Sequence, residues 1–438
     1  MNKLIARIHS LGKGFNGKTQ LPAAWHCVRY QSSNNGSHAD SPSLLKHFTM
    51  KIKASGPITV AEYMRQVLTN PIKGYYMHQD MLGEHGDFIT SPEISQIFGE
   101  LLGIWCLSEW LSAGRPKAFQ LVELGPGKGT LTGDILRVFK QFNHLLNTTD
   151  ISVHLVEVSP KLSQVQAVTL TGKNIKMVDE EISPTYMKGV TTSGLPIFWY
   201  HNVEDVPPAY TFYIAHEFFD ALPIHKLQKT KEGWREVLID IDPEIPDKLR
   251  FVLGSTSPLV AKNFVQDDEK RDHVEVCPSA AVITQKLAHQ IDRHGGAALI
   301  ADYGHFGDKT DTFRGFRDHQ LHDVLLDPGM ADLTADVDFN FLKRMIGNIA
   351  ATLGPVTQRE FLKNMGIDIR LKVLLEHAED ADTQQQLKLC YDMLMNPDKM
   401  GERFKFFSLF PHARLKDNER GPKHKLQPVA GFTELIFQ

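Results

Sequence analysis

Cysteine is scarce: Cys27, Cys106, Cys277 and Cys390 are the four in 438 residues, far apart and with no Cys-x-x-Cys pair. That excludes a disulfide scaffold, argues against a structural zinc site and fits a reducing compartment. Long apolar runs are missing too; nothing approaches the roughly 20 residues a membrane-spanning helix needs. Histidines are scattered, so no metal is expected. Acids are absent from the first 39 positions, which carry Lys3, Arg7, Lys13, Lys18 and Arg29. With Leu4, Ile5, Ile8 and Leu11 at helical spacing, this opening predicts a mitochondrial transit peptide; a disordered tail short of acids by chance is the plain alternative. Cleavage after Arg29 or Tyr30, with a polar linker to residue 42, implies delivery to the mitochondrial matrix. Setting those five bases aside leaves 43 basic against 52 acidic residues. An acidic mature chain argues against nucleic acid, whose phosphates need a basic face.

The chain is organised around residues 119–131, where a strand-like run ends at Glu123 and a turn carries Gly125, Gly127 and Gly129. Leu131, Ile135, Leu136 and Phe139 follow at helical spacing. Strand, glycine turn and helix predict the opening of a doubly wound α/β domain, whose ligands sit beyond the carboxyl ends of its strands. Two ligand classes lack their marks here. Thr130 stands where a dinucleotide fingerprint wants its third glycine, and Gly127-Lys128-Gly129 breaks the P-loop pattern. Glu-x-Gly-x-Gly-x-Gly instead resembles the first motif of class I S-adenosylmethionine (SAM) methyltransferases. The null alternative is a turn that only joins strand to helix.

Further strands place acids at carboxyl ends. Residues 153–158 end at Glu157, 34 positions after Glu123 and farther than the roughly 20 of compact nucleotide folds. The polar stretch 143–150 accounts for much of the excess. An ionised Glu157 is acceptor-only and suits two ribose hydroxyls; a surface carboxylate before a helix starting near Ser159-Pro160 is the alternative. Glu123 is placed to reach the amino group of the cofactor's methionine portion. Residues 196–200 predict a third strand with His201 and Asn202 at its end, where the resemblance to class I methyltransferases implies contact with adenine. A fourth, 210–215, runs into His216-Glu217-Phe218-Phe219-Asp220-Ala221-Leu222-Pro223. A zincin needs a second His four residues on, on a helix; here a strand precedes and Asp220 fills the wrong slot. The Asn/Asp-Pro-Pro-aromatic motif of amide and ring-nitrogen methyltransferases is absent. A fifth strand, 297–301, delivers Asp302, another acid expected in the same pocket.

Tyr75-Tyr76, Gly86-Asp87-Phe88-Ile89-Thr90 and Ser91-Pro92-Glu93-Ile94-Ser95-Gln96-Ile97-Phe98-Gly99 resemble the opening signature of the MidA-like family. His216 to Pro223, Thr312-Phe313-Arg314-Gly315-Phe316, the Asp327-to-Phe339 stretch and Met400-Gly401-Glu402-Arg403-Phe404-Lys405 resemble its later ones. Asp336 departs, standing where the family usually has His. The likeness covers residues 43–438. It implies a mitochondrial protein-arginine methyltransferase that uses SAM and serves respiratory complex I assembly, with a complex I subunit as protein substrate. It also implies that Phe88, Glu93 and Gln96 lie over the cofactor.

An arginine substrate suits two carboxylates, which can take the guanidinium's flat donor fork in parallel hydrogen bonds. Glu217 is the first candidate for this clamp and Asp220 the second. For His216, accepting the departing proton and an orienting role fit equally; for Glu275, a second clamp carboxylate and a buried structural acid do. Arg314 suits either a ligand carboxylate or an internal salt bridge. Two rival functions are a methyltransferase for another nitrogen and a non-catalytic assembly chaperone that keeps a SAM pocket. The expected layout is transit peptide and linker to 42, helical cap 43–115, methyltransferase core 116–345 with a substrate-side insertion, and 346–438 as a helical insertion with closing strands in 422–438. In the cap, helices begin near Leu44 and after an N-cap at Thr59, and a longer one has Pro92 and Glu93 in its first turn. Residues 357–375 and 381–395 read as two C-terminal helices.

Overall fold

The computed structural model describes residues 43–78, 90–172, 175–178, 183–245, 247–415 and 428–432. The transit-peptide expectation and Phe88 fall outside them.

Two N-terminal helices come first, α1 (Leu44–Ser55) and α2 (Val60–Thr69). Thr59 caps α2 as expected, its side chain accepting from the Glu62 N–H at 3.0 Å. The expected long helix is split. Thr90 caps a single turn, α3 (Ser91–Ile94), that holds Pro92 and Glu93; Ser95 is extended, and α4 (Gln96–Ser112) starts anew. Although grouped with the cap by sequence, α4 is buried on nearly every side and packs beneath the central sheet.

The core then alternates β1 (Ala118–Leu124), α5 (Thr130–Gln141), β2 (Asp150–Val156), α6 (Pro160–Thr171), β3 (Pro196–Tyr200) and β4 (Thr211–His216). An insertion sheet built on Gly233–Ile241 follows, then α7 (Pro278–His294), β5 (Gly296–His305) and α8 (Phe339–Ile346). The closing strands are β6 (Ala351–Thr357) and β7 (Phe404–Phe410), and between them lie α9 (Gln358–Asn364), α10 (Ile367–His377) and α11 (Ala381–Met395). The closing strands expected in 422–438 fall outside the described residues except for 428–432, which carry no strand. Phe404-Lys-Phe-Phe-Ser-Leu-Phe410 is buried throughout and lies between β5 and the edge strand β6, where both neighbours satisfy its backbone. The 357–375 stretch breaks at Gly366, a left-handed residue that ends α9 and starts α10.

Strand order is β6-β7-β5-β4-β1-β2-β3, continued by Thr185–Val190 and Ile175–Met177. Strands β1 to β5 are mutually parallel where they pair, and β7 is antiparallel to both neighbours. Chain order reverses direction between β1 and β4, so the carboxyl ends of β1, β2 and β4 open a crevice at that switch point. One face of the sheet is packed by α4, α5 and the α9–α11 insertion, the other by α1, α2, α7 and α8. Helix α5 alone buries Leu131, Ile135, Leu136, Val138 and Phe139, each contributing about 1.5–3 kcal/mol.

Candidate active site

The glycine turn after β1 adopts the backbone its residues predict. Gly125, Gly127 and Gly129 all have positive φ, 62°, 53° and 82°. A Cβ on Gly125 meets the Phe218 ring at 2.9 Å, and Gly129 is the left-handed cap of α5. Bare backbone therefore faces the crevice, as a closely held ligand requires.

Glu123 and Glu157 end β1 and sit just past β2, both buried and both lining the cleft. Burial raises each to about 7. Thr132 donates to Glu123. Glu157 accepts the Ser159 N–H at 2.8 Å and Gln166 Nε2 at 3.0 Å. The same Gln166 amide donates to the Gly127 carbonyl at 2.8 Å, and its oxygen accepts from Trp199 Nε1 at 3.0 Å. Gln166 thus ties the glycine turn to the acid after β2. Sequence reasoning missed it; a glutamine on the apolar side of α6, between Ser163 and Leu170, was the available signal. His201 lies flat against Tyr186, with ring centres 4.2 Å apart and planes 12° apart, and Asn202 Nδ2 donates to Asp205 at 3.1 Å. Glu93 and Gln96 reach the same cleft from α3 and α4, with Lys128 Nζ 3.8 Å from Glu93.

Across the turn, β4 ends in a tight group of acids. Glu217 is left-handed, φ 49°, a conformation that costs a non-glycine residue on the order of 1–3 kcal/mol and clusters at functional sites. Its carboxyl is pushed well above its usual range by burial, then by Asp220 and Glu93. Asp220 is buried and lines the cleft, and among the described residues its carboxylate makes no hydrogen bond. Burial, with Asp302 and Asp332 nearby, raises it too. Asp332 adds a further acid to the cleft wall, accepting from the Tyr76 hydroxyl at 2.8 Å. The cleft measures about 3620 Å³, against roughly 300–1,000 Å³ for a small-ligand pocket.

Several expected residues are placed otherwise. His216 is enclosed by Phe98 and Phe404, and burial lowers it to about 3, so the ring is neutral and cannot keep a proton at neutral pH. Its Nε2 is buried 3.6 Å from Glu217, with no hydrogen-bond partner among the described residues. The orienting alternative fits this setting. Glu275 lies away from the cleft: its carboxylate takes the Thr312 N–H and hydroxyl, the Phe313 N–H at 3.1 Å and Lys226 at 3.2 Å. It is the structural acid of the two alternatives. Arg314 pairs internally with Asp336 at 2.6 Å, and Lys309 reaches the same carboxylate at 2.8 Å. Asp302 does not face the pocket; it is fully buried behind Glu217. Among the described residues no group of three or more His, Cys, Asp or Glu side chains could hold a metal, and no helix is long and apolar enough to cross a membrane.

A model of the S-adenosyl-L-methionine-dependent methyltransferase family matches residues 101–356. "Protein arginine methyltransferase NDUFAF7, mitochondrial" of Xenopus laevis is 69% identical over 94% of this chain and 93% of its own length. The protein of the same name in Homo sapiens is 60% identical over 96% of both. The NDUFAF7 homolog of Drosophila melanogaster is 48% identical over 95% of this chain and 94% of its own. A solved COG1565 superfamily protein from Burkholderia thailandensis, described as a likely methyl transferase bound to S-adenosyl-homocysteine, superposes with a TM-score of 0.68. It shares 22% identity over 84% of this chain and 91% of that one, a likeness of fold.

Proposed function

The chain belongs to the MidA-like family of SAM-dependent methyltransferases, and from that premise we propose that it methylates arginine side chains of a mitochondrial protein. The protein is an enzyme and SAM is its cofactor. The residues present fit that group: glycine backbone for close approach and two buried acids at the ends of β1 and β2 for a ligand that is cationic and carries ribose hydroxyls. Gly125, Gly127, Gly129, Glu123 and Glu157 would hold it, with His201 and Asn202 beside its base. Bound SAM supplies a methyl group on a sulfonium sulfur, which leaves without help from an acid.

One observation carries the arginine reading: half-buried Glu217 and buried Asp220 are crowded acids facing the cleft, and Asp220 lacks a protein hydrogen-bond partner among the described residues. Such a pair is stabilised by an incoming cation. A guanidinium stays protonated at neutral pH and offers a planar fork of donors. Glu217 and Asp220 grip two of its nitrogens, fix its rotation and draw positive charge away from the third. Alignment of this kind can supply about 7–11 kcal/mol of a barrier. The incoming guanidinium lowers both carboxyls and keeps them ionised for the clamp, and one of them accepts the proton lost from the methylated nitrogen, which His216, held low by burial, cannot keep. The size of the cleft supports a polypeptide substrate, and the family resemblance supports a subunit of complex I in the matrix.

Incubation of the enzyme with isotope-labelled SAM and matrix extract, followed by mass spectrometry, tests the proposal. Label on an arginine of a complex I subunit is expected. Label on a glutamine amide or small molecule, or SAM binding without transfer to any protein, would overturn it.

A further inference from the structure

We infer that Asp302 is the residue that holds the Glu217–Asp220 acid pair in working position, an inference that rests on the arginine transfer proposed above. Strand β4 stays in register with β5 as far as the Glu217 N–H, which donates to the Ala301 carbonyl at 3.0 Å. There the chain leaves the sheet through the left-handed Glu217. The next three amides converge on a single oxygen, Asp302 Oδ2: Phe218 at 3.2 Å, Phe219 at 2.9 Å and Asp220 at 3.3 Å. Its other oxygen accepts the Tyr303 N–H at 3.0 Å.

Successive backbone N–H groups closing on an anion form a nest. In this one the acceptor is a carboxyl oxygen from the neighbouring strand rather than a ligand. Asp302 is fully buried and behind the cleft wall, so it acts through the turn and not on substrate. Asp302 accepts at both oxygens, so an asparagine there must turn an NH2 donor either on the three converging amides, two of them buried, or on the Tyr303 N–H, and the turn loses part of what closes it. The turn then has no reason to keep Glu217 left-handed. Relaxation to an ordinary φ swings the Glu217 carboxylate off the cleft and shifts Asp220 with it. Asp302 is thus a positioning residue, and the strain at Glu217 is held in place by the nest.

The test compares D302N, E217Q and the E217Q/D302N double variant of the mature protein. The probes are labelled SAM, with matrix extract as methyl acceptor, and calorimetric SAM titration. D302N is expected to keep SAM affinity within about twofold while losing transfer on the order of 100-fold, the scale of a 1 Å misplacement. The double variant should be no slower than E217Q alone. Losses that multiply, or a fall in SAM affinity matching the fall in rate, overturn the assignment. A second cycle needs no transfer at all, so it still decides if wild-type enzyme labels nothing and the arginine reading itself fails. Glycine accepts positive φ freely, so D302N should lower the melting temperature less in an E217G background than in wild type. Should D302N alone fail to fold, E217G/D302N is expected to fold and bind SAM; equal destabilisation in both backgrounds, or a double variant that also fails, overturns the proposal.

Discussion

At Glu217 and Asp220 the protein keeps carboxyls where burial and like charge oppose ionisation. Both are raised, so the folded state holds protons that the unfolded chain releases above about pH 4. Stability from these groups is complete below the unfolded pKa and is lost as pH rises through the folded values. The sign is opposite to that of a salt-bridged acid. Glu217→Gln should therefore raise the melting temperature at pH 8 and gain less at pH 5.5, measured by calorimetry without ligand; an equal gain at both would remove the electrostatic account. The same substitution should slow methyl transfer on the order of 100-fold, leaving a measurable residue, with SAM affinity within about twofold, because Glu123, Glu157 and the glycine turn remain. If Glu217→Gln left transfer intact, the clamp would have to be sought elsewhere.

At the scale of elements, the turn between β1 and α5 admits a direct test. Gly125→Ala places a methyl group 2.9 Å from the Phe218 ring at a φ of 62° that alanine resists. Loss of SAM binding by tenfold or more is expected by calorimetry, with the fold preserved by circular dichroism. This turn was legible because only glycine fits it, and so were β1, β2 and β4, whose apolar runs lead into the acids that matter, and β3, which runs into His201 and Asn202. Thr59 was legible as a helix start for a local reason: its side chain satisfies an end N–H. What the sequence hid depends on partners far along the chain. The split at Ser95 leaves Pro92 and Glu93 one turn of their own. Phe404–Phe410 is an interior strand only because β5 and β6 flank it. Glu275 sits among acids in the sequence pattern, yet Thr312, Phe313 and Lys226 consume its oxygens. His216 changed meaning by burial alone. Asp302 was recognised as an acid at a strand end, but the direction its oxygens face is set by the turn of a different strand.

The whole molecule is built so that its cleft is walled by segments remote in sequence: α3 and α4, the β1 and β4 turns, and the α10–α11 hairpin inserted between β6 and β7. What fastens the hairpin is a buried ion pair, Arg370 Nε to Glu100 Oε2 at 2.9 Å, which joins α10 to α4. Both side chains are more than nine-tenths buried. Deleting one member of such a pair leaves the other uncompensated, at about 3–5 kcal/mol. Arg370→Ala should accordingly lower stability by roughly that amount in denaturant unfolding. Replacing both with well-packed apolar residues should recover much of the loss, since desolvating the pair offsets its attraction. Ligand binding supplies the complementary measurement. SAM at 100 times its dissociation constant adds about 2.7 kcal/mol to any unit that binds it only when folded. If hairpin and core unfold together, SAM should shift a single transition, and Arg370→Ala should split it into a SAM-sensitive core step and an earlier, SAM-insensitive hairpin step. Two transitions already present in the wild-type protein would show instead that the Glu100–Arg370 link does not couple the hairpin to the site it walls.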